Sequence, residues 1–169
     1  LWDVETGEAA GGTSVCFSYF SRDGEEGFPG NLITKVTYSL DEDCGLKISY
    51  EAVTDKPTVV NLANHAYFNL SSHDSGTVET SEQIDSDQIL EADQESIPTG
   101  KSISVDGTPF DFREFHKIGE RISQDDIQLK YGGGYDHNWV LKQTENGGTR
   151  LIAEAKSDPT GIRMQVYTT

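Results

Sequence analysis

Short alternating runs of apolar and polar residues constrain the fold of this chain most strongly. They are separated by Gly, Asp, Asn and Ser at spacings typical of all-β proteins, and no helical periodicity persists for three turns. The clearest predicted strands cover residues 13–20, 33–40, 46–52 and 82–90, and one or two helical turns are predicted within residues 114–122. The pattern therefore predicts an all-β fold.

Turn signals lie between the predicted strands. Residues 41–45 predict a hairpin loop with Gly45 at a positive φ, and residues 97–100, which contain Pro98 and Gly100, predict a turn. Residues 21–30 have the composition of a long loop. Its three carboxylates lack the ligand spacing of a cation site, so a solvated loop is expected.

Length and charge narrow the class of protein. A chain of 169 residues suffices for one domain with a real core, and no repeat or linker divides it, which predicts a single domain over residues 1–169. A net charge of -16 argues against nucleic acid, anionic membrane surfaces and phosphorylated sugars as partners, and favours a neutral small molecule. The apolar runs are too short to span a bilayer.

The cysteine count bears on location. Cys16 and Cys44 are too few for a disulfide framework, so free thiols in a reducing compartment are expected. A cytoplasmic location is therefore predicted.

A polar and aromatic stretch at residues 61–70 is the first candidate site. In the predicted strand, His65 and Tyr67 share a polar face, while the alternate positions from Leu62 to Leu70 form an apolar set suited to a core. An imidazole exchanges protons near neutral pH, and an aromatic ring offers an apolar wall to a sugar. A hydrogen-bonded structural histidine is the alternative.

A glycine-rich stretch at residues 131–140 is the second candidate site. Three consecutive glycines precede Asp136 and His137, and a strand is predicted over residues 139–142. Glycines allow tight turns and close approach of a ligand, and carboxylates with aromatic neighbours commonly hold sugars. The alternative is a plain turn in which Asp136 caps its own backbone.

Other chemistries lack their motifs. His65 and His137 do not stand in a metal-ligand spacing, no Ser or Cys lies in a nucleophile elbow, and the glycines are not followed by the Lys-Ser/Thr of a phosphate-binding loop. We expect no metal and no cofactor.

The first candidate site resembles a known motif. The residues Asn64-His65-Ala66-Tyr67-Phe68-Asn69-Leu70 are similar to the Asn-His-Ser-Tyr-Phe-Asn-Leu motif of the aldose 1-epimerases, the galactose mutarotase family. Ala66 replaces the usual small Ser, which is a mild departure.

Three further segments resemble motifs of that family. Residues 23–30 match its Asp-Gly-Glu-Glu-Gly-Tyr-Pro-Gly loop with Phe28 for Tyr, residues 107–112 match Gly-Thr-Pro-Phe-Asp-Phe, and residues 134–138 match Gly-Tyr-Asp-His-Asn. The four motifs occur in the family's order, and the resemblance covers essentially the whole chain.

The resemblance implies a fold and a reaction. The fold is a galactose-mutarotase-like β-sandwich (supersandwich), and the reaction is interconversion of the α and β anomers of hexoses such as galactose and glucose. His65 takes the position of the general acid, and Asp136 that of a carboxylate binding sugar hydroxyls. Ala66 and Tyr67 fall in the substrate-binding set with them, and His137 is expected to give structural support.

The resemblance also implies that the chain is a central fragment. The general-base Glu of the family lies beyond Thr169, and an Asn-Arg pair and a second active-site His lie before Leu1, so the isolated piece is predicted to be nearly inactive. The parent is expected to be a monomer or homodimer. A non-catalytic carbohydrate-binding module of the same fold remains the alternative, and an epimerase of sugar phosphates is disfavoured because basic residues are scattered.

Overall fold

A computed structural model describes residues 1–9, 12–71, 76–142 and 148–169. The chain divides into two compact units, Leu1–Ala66 and Tyr67–Thr169. Each unit is described by itself, and the single domain over residues 1–169 stays a prediction. His73, expected at the surface from the sequence, lies outside the described residues.

The first unit contains a four-stranded antiparallel sheet in the order β1-β2-β3-β4. Its strands are β1 (Asp3–Ala9), β2 (Gly12–Ser21), β3 (Leu32–Asp41) and β4 (Leu46–Thr54).

The register of this sheet gathers the alternating apolar residues on one face. Val36 of β3 lies opposite Phe17 of β2 and Tyr50 of β4, and Val4 of β1 lies opposite Phe17. The Phe17 and Tyr38 rings meet edge to face, with centroids 6.1 Å apart. The predicted strands are confirmed because the two-residue period aligns these side chains.

The β3–β4 hairpin confirms the predicted loop but not its backbone detail. Oδ1 of Asp41 accepts the N–H groups of Asp43 at 3.0 Å and Gly45 at 2.6 Å. The positive φ falls on Cys44 (62°), so its prediction for Gly45 was wrong. Gly45 is needed for space instead, because a Cβ there would lie 2.5 Å from Oδ2 of Asp41.

The second unit contains two sheets, two α-helices and one 3-10 helix (Thr77–Glu79) among its described residues. One sheet has the order β10-β9-β5-β8 and the other pairs β6 with β7, all antiparallel. The elements are β5 (Ser81–Ile84), β6 (Gln88–Ala92), β7 (Pro98–Ser104), β8 (His116–Lys117), α1 (Ile118–Arg121), α2 (Ile127–Gly132), β9 (Arg150–Lys156) and β10 (Arg163–Thr168).

The core of this unit gathers side chains from β6, α2 and the irregular segment between β7 and β8. Ile89, Val105, Phe110 and Leu129 are almost fully buried and pack together, with Trp139 among the half-buried residues packed against them. A segment without regular structure thus supplies the largest buried ring.

Two sequence predictions in this unit were wrong in their boundaries. The run 82–90 is two strands, separated where the buried Ser86 hydroxyl donates to the carbonyls of Gln88 (2.8 Å) and Val140 (2.6 Å). Residues 97–100 are not a turn, because Pro98 begins β7. The turn lies at residues 93–96, where Oδ1 of Asp93 accepts the N–H of Ile97.

The helix prediction was partly right. α1 falls within residues 114–122, but α2 was not predicted.

No helix of the described chain has the length and apolarity needed to cross a membrane. Cys16 and Cys44 are both free, as expected.

Candidate functional site

Residues 57–70, which carry His65, form no strand, so the predicted strand was wrong. Oδ1 of Asn64 accepts the N–H of Ala66 at 3.0 Å, and Oδ1 of Asn69 accepts the N–H of Ser71 at 3.0 Å. Side-chain acceptors that bind the backbone two residues on compete with a β-ladder for those donors. His65 therefore lies in an asparagine-capped turn.

Burial in this segment differs from the alternating prediction. Residues 61–69 are exposed, including His65 and Ala66, and the side chain of Tyr67 is 90% exposed. Leu62 and Phe68, predicted to face a core, are also exposed, and only Leu70 of that apolar set is buried.

The β2–β3 loop is hydrogen-bonded to Asp55 and Lys56, which come just before this segment. The backbone N–H and the side-chain Nδ2 of Asn31 donate to the Asp55 carboxylate at 2.8 and 2.7 Å. Asp23 receives the Lys56 ammonium and the Gly30 N–H. Lys56 is the main reason that the pKa of Asp23 lies below its ordinary value.

Asp23 and Glu25, two of the three carboxylates of this loop, have local partners. Tyr19 donates its hydroxyl to Glu25, which lowers the pKa of the Glu25 carboxyl. No cluster of three or more metal-ligating side chains is found in the part of the chain that the structure describes.

The far end of the His65 segment is held within the second unit. Thr160 donates its hydroxyl to the carbonyl of Leu70 at 2.7 Å. The buried Ser71 hydroxyl lies 3.4 Å from that of Thr80 and 3.3 Å from that of Ser157. The segment thus runs between two hydrogen-bonded anchor points, one in each unit.

The glycine-rich stretch begins as the last turn of α2. Asp126 caps this helix, accepting the N–H groups of Gln128 at 2.8 Å and Leu129 at 3.3 Å. Gly133 ends it in the left-handed conformation with φ 63°. The space left by Gly132 is filled by the His137 ring rather than by a ligand, because a Cβ would lie 3.0 Å from Cε1 of His137.

Asp136 is exposed, while the residues on either side are fastened to the core. Tyr135 donates its hydroxyl to the carbonyl of Pro109 at 3.0 Å, and the carbonyl of Asn138 accepts the N–H of Leu90 at 2.9 Å. The predicted strand over residues 139–142 is reduced to a single bridge between Trp139 and Ile89.

His137 is a half-buried structural residue. Its Nε2 lies 3.1 Å from Oε1 of Gln128, and its ring meets the Phe110 ring edge to face at 4.6 Å between centroids. Burial lowers the pKa of His137, and the carboxylates of Asp136 and Asp126 oppose that shift. These contacts agree with the support role expected for it.

The predicted site residues divide between the two units. His65 and Ala66 end the first, whereas Tyr67 and Asp136 belong to the second. Their convergence on one sugar remains a prediction.

Sequence reasoning missed two polar groups. Gln128 is buried beneath His137, and only its place between two apolar residues hints at it. Glu154 of β9, also buried, receives the Arg163 guanidinium and the Gln165 amide from β10. Nothing in its alternating run marks it.

Known proteins similar to this chain are named aldose 1-epimerase or galactose mutarotase. Aldose 1-epimerase of Escherichia coli (strain K12) is 41% identical over 155 residues, which are 92% of this chain and 44% of that protein. Galactose mutarotase of Homo sapiens is 39% identical over 156 residues, again 92% of this chain and 43% of that protein. The chain therefore spans less than half the length of these relatives.

Solved structures agree with the expected fold. The crystal structure of galactose 1-epimerase from Lactobacillus acidophilus NCFM is similar with a TM-score of 0.82 and 32% identity, over 93% of this chain and 45% of that chain. The galactose-mutarotase-like, mostly antiparallel β fold predicted from the sequence is confirmed.

A family model described as Aldose 1-epimerase matches residues 1–169. The match includes both candidate stretches, the one around His65 and the one around Asp136. The chain belongs to the aldose 1-epimerase family.

Proposed function

We propose that the whole protein is an aldose 1-epimerase that interconverts the α and β anomers of hexoses such as galactose and glucose. The observation that carries this proposal is the family match along all 169 residues. The names of the relatives, aldose 1-epimerase and galactose mutarotase, support it.

The reaction requires a hemiacetal to open and close again. A base removes the proton of the anomeric hydroxyl while an acid protonates the ring oxygen, and the C1–O5 bond breaks. Rotation about C1–C2 presents the other face of the aldehyde, and reversal of both proton transfers closes the opposite anomer. Each acid or base contributes about 10²–10⁴-fold.

His65 is the proposed general acid. An imidazolium can give a proton to the ring oxygen and retrieve it near neutral pH. The exposure of His65 supports the assignment, because a sugar can approach its ring. Asp136, also exposed, would accept hydrogen bonds from sugar hydroxyls, and Ala66 and Tyr67 would line the same sugar.

The general base is proposed to lie outside these 169 residues, since the resemblance offers no counterpart for it here. The whole protein is proposed to act on a neutral hexose, as a monomer or homodimer, in the cytoplasm. The excess of 29 acidic over 13 basic residues and the two free thiols support the sugar and the compartment, respectively.

Polarimetry of freshly dissolved α-D-galactose and α-D-glucose tests this function. The whole protein should speed anomerisation, and His65→Ala should lower kcat about 10²–10⁴-fold with little loss of folded protein. His116→Ala is the matched control, because His116 contacts Glu120 at 3.2 Å in another part of the chain and should keep full activity.

Two results would contradict the proposal. Full activity of the His65→Ala variant would remove the assigned role. Sugar binding without any faster anomerisation by the whole protein would favour the non-catalytic module.

A further inference from the structure

A buried side-chain amide, that of Gln128, helps to hold the turn that presents Asp136. The side chain of Gln128 is almost fully buried, with the residue 6% exposed. Its Nε2 donates to the carbonyl of Ala92 at 3.1 Å, and its Oε1 accepts the N–H of Ala92 at 2.8 Å. Because a backbone N–H only donates and a carbonyl only accepts, Ala92 fixes which end of the amide is oxygen.

The fixed amide decides the tautomer of His137. Oε1 of Gln128 also lies 3.1 Å from Nε2 of His137, and an amide oxygen can only accept. Nε2 must therefore carry the proton, so Nδ1 of the neutral ring is an unprotonated acceptor. Nδ1 is buried and has no hydrogen-bond partner among the described residues.

We propose that His137 is a positioning residue for sugar binding, which holds Asp136 in place through the hydrogen bond from its neutral imidazole to Gln128. The inference rests on the proposed function and deepens it. His137 does not touch the sugar in this scheme. It affects KM because it follows Asp136 directly in the chain and its own side chain is hydrogen-bonded to the buried Gln128.

Charging His137 would disturb the turn at Nδ1, although the Nε2–H bond to Gln128 would remain. A second proton would reside on Nδ1, which is buried with no acceptor among the described residues, so the neutral ring is preferred there. The charged groups facing the ring are Asp136 beside it and Asp126 at the start of α2, and both favour the proton. KM should accordingly rise at acid pH, below the pKa of His137.

Three variants of the whole protein test the positioning role. His137→Phe keeps an aromatic ring on Phe110 but removes the donor, and His137→Gln restores a donor near the position of Nε2. Gly132→Ala leaves the imidazole intact but places a Cβ 3.0 Å from its Cε1 and 3.4 Å from Cβ of Asp136. Gly132 has no positive φ, so the added methyl acts through these contacts.

Matched controls are available for His137→Phe and for Gly132→Ala. His116→Phe repeats the first substitution on β8. Gly148→Ala adds a methyl where nothing lies within 4 Å. Both controls should retain the kinetics of the unchanged protein.

Steady-state anomerisation of galactose, measured from pH 5 to 8, gives the decisive numbers. His137→Phe and Gly132→Ala should raise KM about fivefold or more with kcat changed less than about twofold, because only ground-state positioning is lost. His137→Gln should recover most of the KM, and the acid rise in KM should be absent from His137→Phe.

The failures of the two proposals are distinguishable. An unchanged protein that does not speed anomerisation overturns the proposed function, and this inference with it. An active protein in which Gly132→Ala has the original KM overturns the inference alone, even if His137→Phe fails to fold. Loss of kcat with unchanged KM would overturn it as well.

Discussion

Short acceptor side chains decide where regular structure stops in this chain. Asn64 and Asn69 bind backbone N–H groups two residues further on, and Asp93 binds that of Ile97. Asp126 uses the same chemistry to begin a helix. Because these bonds satisfy donors that a ladder would otherwise use, a residue pattern suited to a strand ends as a turn around His65.

Replacing Asp136 by Asn should weaken sugar binding. A carboxylate that accepts hydrogen bonds from hydroxyls contributes about 1.5–3 kcal/mol, so kcat/KM for galactose should fall about 10–100-fold in the whole protein. Polarimetric kinetics measure the change. Asp125→Asn is the control, because Asp125 is an exposed side chain paired with Lys130. Equal kinetics in both variants would refute the sugar contact.

Replacing Glu82 by Gln should stabilise the protein at neutral pH. Burial raises the pKa of Glu82 above its ordinary 4.5, so the folded state favours the neutral carboxyl. The contribution of Glu82 to the free energy of unfolding is therefore fully present below the ordinary pKa and is lost as pH rises through the raised pKa of the folded state. In denaturant unfolding, the variant should have a larger free energy of unfolding than the unchanged protein at pH 7, and this difference should vanish near pH 4.

A matched change at an exposed position controls for charge alone. Glu95→Gln removes one carboxylate from the turn before β7, where the side chain is exposed. A pH-dependent gain of the same size in that variant would mean that burial of Glu82 is not the cause.

At the scale of elements, the sheet of the first unit was predictable and α2 was not. The alternating runs of β2, β3 and β4 fix the register, since a slip of β2 by one residue would turn Phe17 away from the face that carries Val36. α2 has six residues, too few for a visible helical period. Its signals were the capping Asp126 and the terminal Gly133, but Asp and Gly are equally typical of loops and turns.

Removing the cap of α2 should destabilise the whole protein. Asp126→Ala leaves the N–H groups of Gln128 and Leu129 without their acceptor, which costs about 0.5–2 kcal/mol. Chemical denaturation followed by circular dichroism measures the loss. Asp125→Ala, one residue earlier and without a cap bond, should lose much less; equal losses would contradict the capping role.

At the scale of the whole molecule, the candidate site could be named from motifs but not assembled. The candidate residues His65 and Asp136 follow from the sequence motifs, and their roles stay predictions. Their proposed convergence on one sugar would require long-range packing, which local patterns do not encode. The support of Asp136 by Gln128 shows the same limit, because its partners Ala92 and His137 are 36 and 9 residues away.

The proposed acid lies in this chain and the proposed base elsewhere in the whole protein, so the isolated chain should be nearly inactive. His65, the proposed general acid, would protonate the ring oxygen, but opening the hemiacetal also needs a base at the anomeric hydroxyl, and each group is worth about 10²–10⁴-fold. The isolated 169-residue chain should therefore leave the rate of α-D-galactose mutarotation close to that of buffer, while the whole protein at equal concentration speeds it. Circular dichroism would establish that the isolated chain is folded. Rapid anomerisation by a folded isolated chain would show that these residues contain a complete acid–base pair, and the proposed division of roles would be wrong.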